Sequence, residues 1–245
     1  MDPIVGAVSA GDAKITIVRI DQPAVRNAIN SATAQRLLDA FLAFEADSDA
    51  KVAILTGDET AFCAGANLKD LPRLRPSGPL GPTRLQLSKP VLAAIEGWCV
   101  AGGLELACWC DMRVAGATAR LGCLERRYGV PLVDGGTVRL PRIVGLGRAL
   151  DLILTGREID AEEALAIGLV NRVVPAGAAL DTAIEIAEQI AASPWPAVVH
   201  DRLSVYESIG LDLDAALANE ARHGDAVIFD PGFADGVARF QDRAR

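Results

Sequence analysis

Apolar positions in this chain fall in short β-branched blocks over the first half and in long helical stripes towards the C-terminus. Residues 4–9 and 14–20 are two such blocks, separated by Ala10-Gly11-Asp12-Ala13, and the pattern predicts a β-hairpin. A helix is expected after the cap candidates Asn30 and Ser31, with Leu37, Leu38, Phe41 and Leu42 on its apolar face. Residues 52–56 and 91–95 read as buried strands, and residues 113–115 and 119–122 as extended. Between them, residues 71–82 carry four prolines and two glycines, which excludes a regular element and predicts a mobile loop. Residues 102–109 read as a helix opened by paired glycines, and residues 135–150 as a helix broken at Pro141 and Gly145. Beyond Val173-Val174-Pro175 the period becomes purely helical, over residues 180–192, 197–208, 213–229 and 233–243. The fold class is thus mixed α/β with a helical C-terminal quarter. Periodicity leaves open whether that quarter completes the domain or builds an oligomer interface.

A chain of 245 residues with 51% hydrophobic content has material for one large core. Its net charge of −8 repels a polyanion, so general nucleic-acid binding is excluded, while a small anionic ligand can still be held at local cations and helix N-termini. Five cysteines, an odd number without Cys-x-x-Cys spacing, speak against a disulfide framework and a structural zinc. His200 and His223 stand in no metal-binding motif and read as structural or surface residues, so no metal is expected. With no basic patch before an apolar run at the N-terminus, and no apolar segment of about 18 residues, the expectation is a cytoplasmic protein without membrane attachment.

Three segments could carry chemistry. Phe62-Cys63-Ala64-Gly65-Ala66-Asn67-Leu68-Lys69 follows a strand with small residues that let a ligand approach backbone N–H groups, although a plain strand-to-helix turn reads the same way. Trp98-Cys99-Val100-Ala101-Gly102-Gly103-Leu104-Glu105 runs from a strand into a helix N-terminus, whose orphan N–H groups and dipole suit a developing negative oxygen. Glu105 there is equally a residue set against the helix dipole. The third segment holds Glu125-Arg126-Arg127, by itself a surface ion pair, followed by Asp134-Gly135-Gly136-Thr137.

Taken together and in order, these segments resemble the enoyl-CoA hydratase/isomerase (crotonase) superfamily over nearly the whole chain. Further landmarks are Gln22-Pro23-Ala24-Val25-Arg26-Asn27-Ala28-Ile29-Asn30, Cys110-Asp111, Leu154-Thr155-Gly156 and Gly168-Leu169-Val170. The resemblance implies a crotonase-like spiral of β-β-α units over residues 1–192, containing an acyl-CoA site. It implies a helical trimerisation region over 193–245, in a homotrimer or dimer of trimers. It further implies that the backbone N–H groups of Ala66 and Gly102 form an oxyanion hole and that Glu105 and Glu125 are an acid/base pair. Coenzyme A would be met by Arg26, Ala64, Ala66, Leu68 and Lys69, and by Phe240 and Arg243 from a neighbouring subunit. The implied reaction is reversible addition of water to the 2,3 double bond of a trans-2-enoyl-CoA, with no cofactor beyond the substrate's own coenzyme A. The alternatives are a Δ3,Δ2-enoyl-CoA isomerase or another crotonase reaction, and a non-catalytic acyl-CoA-binding protein. Asn67 replaces the family's usual Asp, Leu124 a frequent Pro, and Asp134 a small residue, so Asp134 is a possible additional acid.

Overall fold

The computed structural model describes residues 4–10 and 13–243. Strands β1 (Ile4–Ala10) and β2 (Ala13–Arg19) pair antiparallel, with Ile4 opposite Arg19 and Ala10 opposite Ala13; Gly11 and Asp12 of the expected turn lie outside the described residues. The chain then alternates between two sheets. Strands β3 (Ala50–Thr56), β5 (Val91–Ile95) and β7 (Met112–Gly116) join a large sheet, while β4 (Ala61–Cys63), β6 (Trp98–Val100) and β8 (Arg120–Gly122) join a small one. With β9 (Glu158–Asp160) and β10 (Arg172–Val174), the orders are β1-β2-β3-β5-β7-β10 and β4-β6-β8-β9. Only β1–β2 and β8–β9 pair antiparallel among the described strands, so each repeat advances both sheets by one parallel strand, giving the spiral of β-β-α units.

Parallel strands buried on both faces read as continuous apolar runs, and the period of two then decides which core each side chain enters. Val52, Ile54, Leu92 and Ala94 pack with Ile15 and Val114 under helix α6 (Ala179–Ala191). Their neighbours Ala53, Leu55, Val91, Ala93 and Ile95 face the larger core, with Leu37 and Phe41 of α1 (Ser31–Ala46) and Leu104 and Leu106 of α2 (Gly102–Trp109). Helix α6 meets the sheet through Ala179, Ala183, Ala187 and Ala191, an i, i+4 stripe of small side chains that lets the helix lie close to the strands. Asn30 caps α1 by accepting the Thr33 N–H at 3.0 Å, as its sequence position predicts.

Past the small sheet come α3 (Gly136–Val144), α4 (Leu146–Thr155) and the short α5 (Ala161–Ala166). The expected break at Pro141 is absent, and the helix stops only at Gly145. Proline here removes a donor to the carbonyl of Thr137, and Thr137 is exposed, so the missing bond leaves no buried orphan. The C-terminal helices are α7 (Trp195–Glu207), α8 (Leu213–Ile228) and α9 (Pro231–Arg243). Arg202 and Tyr206 of α7 both donate to the Asp111 carboxylate, at 3.0 and 2.6 Å, and tie the helical region to the start of β7.

Because β4, β6 and β8 are parallel, the segments that follow them all emerge at the C-terminal end of the small sheet's strands. Those segments carry Ala66, Gly102 and Glu125.

Candidate active site

Glycines set how closely the first two segments approach. Gly65 has φ +90°, and a Cβ there would lie 2.7 Å from the Gly102 nitrogen. At Gly103 a Cβ would meet the Cys63 carbonyl oxygen at 2.0 Å. Only glycine lets α2 begin against the end of β4. The Ala66 backbone is held on either side, since Ile29 N–H donates to Gly65 O at 2.7 Å and Asn67 N–H to Ile29 O at 2.8 Å. Ala66 N–H itself has no acceptor among the described residues, and neither has Gly102 N–H, the first of α2. Two unpaired donors from adjoining turns can stabilise one developing oxyanion.

Between β6 and α2, Ala101 holds φ +54° and ψ −129°, a region that side chains rarely adopt. Backbone strain of this kind costs of order 1–3 kcal/mol. Ala101→Gly is therefore expected to raise stability by about 1 kcal/mol, read as a higher Tm in thermal melting. An unchanged or lower Tm would mean that the Ala101 methyl packs well enough to offset the strain.

Glu105 lies in the first turn of α2 and is buried. Its Oε1 accepts N–H bonds from Gly136 at 2.7 Å and Asp134 at 2.9 Å, at the N-terminus of α3, while Oε2 makes no hydrogen bond among the described residues. Burial outweighs these two bonds, and the carboxyl is pushed up from 4.5 to about 7, with the Asp134 and Glu125 carboxylates acting in the same direction. Glu125 sits on a 3-10 turn, Leu124–Tyr128, directly after β8. It is 6% exposed, and neither carboxylate oxygen has a partner among the described residues. The ion-pair reading of Glu125 is thereby overturned, because Arg126 and Arg127 are exposed and Arg127 donates instead to the Gly156 carbonyl. Desolvation raises the Glu125 pKa, with Arg126 opposing it. An unpaired buried carboxyl on one side and a half-bound one with an elevated pKa on the other suit proton transfer near neutral pH.

Asp134 is buried too, but its Oδ1 is occupied by the Leu80 N–H at 3.0 Å and by the Thr83 hydroxyl. The loop over residues 71–82, expected to be mobile, is thus buried and fastened at its end, where residues 78–83 are all buried. Asn67 accepts the Lys69 N–H at 3.0 Å, an acceptor role that Asp fills equally well.

The remaining residues singled out in the sequence are spread along the outer side of these turns. Arg26 is exposed with φ +50°, its guanidinium 5.8 Å from the Trp98 ring centroid, and its carbonyl accepts the Ala64 N–H at 3.0 Å. Ala64 is half-buried, and Leu68 and Lys69 are exposed. Phe240 on α9 is 75% exposed; Arg243 ends that helix, and its side chain lies outside the described residues. Sequence reasoning missed Leu80, Thr83 and Arg139, whose relation to the site is wholly tertiary. His200 and His223 are 3.0 Å apart through their Nδ1 atoms between α7 and α8, and no metal-holding cluster of His, Cys, Asp and Glu occurs among the described residues.

A β-β-α spiral that gathers two N–H groups without acceptors among the described residues and two buried glutamates past the C-terminal ends of parallel strands defines an enzyme-like site of the crotonase type. The comparisons with known proteins agree. The family model Enoyl-CoA hydratase/isomerase matches residues 10–244, and the chain belongs to that family. It is 39% identical over 220 residues to the short-chain-enoyl-CoA hydratase of Clostridium acetobutylicum, covering 86% of this chain and 84% of that one. The crotonyl-CoA hydratase of Syntrophomonas wolfei is 36% identical, covering 85% of this chain and 84% of its own. The crystal structure of enoyl-CoA hydratase from Mycobacterium tuberculosis superposes with a TM-score of 0.92 at 35% identity, covering 99% of this chain and 97% of that one.

Proposed function

We propose that this protein is an enoyl-CoA hydratase, a hydro-lyase that adds water reversibly across the 2,3 double bond of a trans-2-enoyl-CoA in fatty-acid or related acyl-CoA metabolism. The observation that carries this reading is the pairing of Glu105 and Glu125, both buried and both raised in pKa, beside the N–H groups of Ala66 and Gly102, which have no acceptor among the described residues. In this reading the thioester oxygen lies between the two N–H groups, which draw charge from C3 and stabilise the enolate-like oxygen of the transition state. Glu105 takes a proton from water as its oxygen bonds to C3, and Glu125 gives a proton to C2, so hydroxyl and hydrogen are both accounted for. The carboxyls move the protons and the backbone polarises the thioester, so no cofactor is needed beyond the coenzyme A of the substrate.

Arg26 and Lys69 are exposed beside the Ala64–Leu68 backbone, which supports the two cations meeting the coenzyme A phosphates and the backbone at Ala64, Ala66 and Leu68 meeting the adenine. Leu213, Phe229 and Phe240 are 73%, 83% and 75% exposed, which supports burial of the C-terminal helices against further copies and a neighbour's contact through Phe240 and Arg243. Light scattering at micromolar concentration is expected to give a trimer or a dimer of trimers; a monomer alone would reject this assembly. Five buried free thiols support a reducing compartment such as the cytoplasm, and no helix of the described residues is long and apolar enough to cross a membrane.

The test is turnover of trans-2-enoyl-CoA thioesters of increasing acyl length, followed as loss of enone absorbance. Hydration of at least one of them is expected. Conversion of a 3-enoyl-CoA without any hydration would place the chain with the isomerases, and binding without turnover would make it a non-catalytic acyl-CoA-binding protein.

A further inference from the structure

Asp134 stands where two segments far apart in sequence are fastened together. On one side is the end of the proline-rich loop. Its Leu80 N–H and Thr83 hydroxyl both donate to Asp134 Oδ1, and Leu80 Cδ1 packs so tightly over the start of α2 that a Cβ on Gly102 would lie 2.5 Å from it. On the other side is the turn into α3, whose Asp134 and Gly136 N–H groups hold Glu105 Oε1. Two arginines add cross-links between the same segments. Arg84 donates to Val133 O at 3.0 Å, and Arg139 donates to Thr83 O at 2.6 Å and to Asp134 O at 3.0 Å. Gly78, with φ +104°, leaves the space the clasp requires, since a Cβ there would lie 3.0 Å from Asp134 Oδ1.

We infer that Asp134 is a positioning residue: its carboxylate fixes the loop end that walls Gly102, and its own N–H fixes Glu105, so one residue sets two parts of the site against each other. In this role Asp134 acts through the groups it holds, its Oδ1 accepting from Leu80 and Thr83, two donors on one oxygen. This deepens the hydratase reading and rests on it for the role of Glu105, whereas the clasp itself stands on the hydrogen bonds alone.

The charged and titratable groups facing Asp134 are Arg84, Arg139, Glu105 and the Cys63 thiol, and those facing Glu105 are Asp134, Glu125, Arg139 and the Cys108 and Cys123 thiols. Asp134 pushes the Glu105 pKa up, so neutralising it moves the acid limb of the kcat/KM profile to lower pH. A purely structural role would leave that limb in place.

The experiment compares Asp134→Ala, Asp134→Asn and Thr83→Val in hydration of the trans-2-enoyl-CoA that the wild type turns over, with amide hydrogen exchange over residues 77–84. Asp134→Ala is expected to lose about 10²-fold in kcat, the scale of a displaced reacting group, with faster exchange in the loop end. Asp134→Asn keeps the acceptor for both donors, so it is expected to stay within about tenfold of wild type, with normal exchange and the acid limb at lower pH. Thr83→Val removes one donor and is expected to cost about tenfold; it carries the test where Asp134→Ala does not fold. Asp134→Asn as inactive as Asp134→Ala would make Asp134 a proton carrier and overturn the inference. Wild-type exchange and kcat in both Asp134→Ala and Thr83→Val would overturn it equally. Wild-type hydration by Glu105→Gln would remove Glu105 from the chemistry, and a wild type that hydrates nothing would sink the hydratase reading; in either case loop exchange would decide the clasp by itself.

Discussion

Glu105→Gln and Glu125→Gln are each expected to lower kcat for hydration by at least about 10²-fold, the lower end of what a lost general acid or base costs. Glutamine keeps the shape of the side chain and an oxygen for the Asp134 and Gly136 N–H groups, but it neither takes nor gives a proton at neutral pH. The double variant is expected to fall well short of the product of the two losses, because residues that act as one unit are not additive. Steady-state rates on one enoyl-CoA, read beside circular dichroism, check both statements. A protein whose conversion of a 3-enoyl-CoA is lost with Glu125→Gln but tolerates Glu105→Gln is behaving as an isomerase. Undiminished hydration in both variants would remove the glutamates from the mechanism.

The same substitution has a stability signature that separates lost chemistry from lost fold. Glu105 titrates at about 7 in the folded protein against an ordinary 4.5. Below pH 4.5 the carboxyl is protonated in both folded and unfolded chains, and wild type has its full stability. As pH rises towards 7 the unfolded chain ionises first, in water, while the folded chain still holds its proton, so stability falls. Above about 7 the loss is complete, and the interval from 4.5 to about 7 corresponds to about 3 kcal/mol at most. Glu105→Gln has no charge to bury, so it is expected to be more stable than wild type at pH 8, with the difference vanishing by pH 4. Denaturant midpoints at the two pH values measure this. An inactive variant that is also less stable at pH 8 would point to a damaged site.

Much of the proposed site is legible in the sequence because its donors and acids lie in short local motifs. Gly65-Ala66 and Gly102-Gly103 announce close backbone approach, and Glu105 falls in a helix's first turn, features that survive any uncertainty about where strands end. The strands of the large sheet were equally visible, since burial on both faces makes Val52–Thr56 and Val91–Ile95 unbroken apolar runs. That same burial hid which side faces which core. The three-residue strands β4 and β9 were not separable from turns, because their pairing partners lie in other repeats. Glu125 alone looked like half of an ion pair. Only the fold buries its carboxylate while leaving Arg126 outside. The fastening of residues 78–83 to Asp134 left no trace in the sequence, since proline and glycine content reports what a loop cannot form and says nothing about what grips it.

The oxyanion assignment leads to an equally large loss from a different atom. Ala66→Pro is expected to slow hydration by about 10²- to 10³-fold, the usual consequence of removing one oxyanion donor, about 2.7–4 kcal/mol in the transition state. The Ala66 N–H has no partner among the described residues, so proline deletes no hydrogen bond that supports the resting fold. The bonds that hold this stretch belong to its neighbours, Ile29 N–H to Gly65 O and Asn67 N–H to Ile29 O, and both survive the substitution on paper. The residue before a proline is steered away from helical backbone, and at that position stands Gly65, the residue type with the widest conformational freedom. Ala66→Gly retains the N–H and serves as the control. It is expected to keep most of the activity, so that a loss confined to proline is assigned to the missing donor. The loss should fall on kcat and kcat/KM alike, because the bond tightens as charge reaches the thioester oxygen. A folded Ala66→Pro protein with wild-type kcat would place the oxyanion elsewhere, whereas a loss shared equally by Ala66→Gly would assign the effect to the shape of the turn.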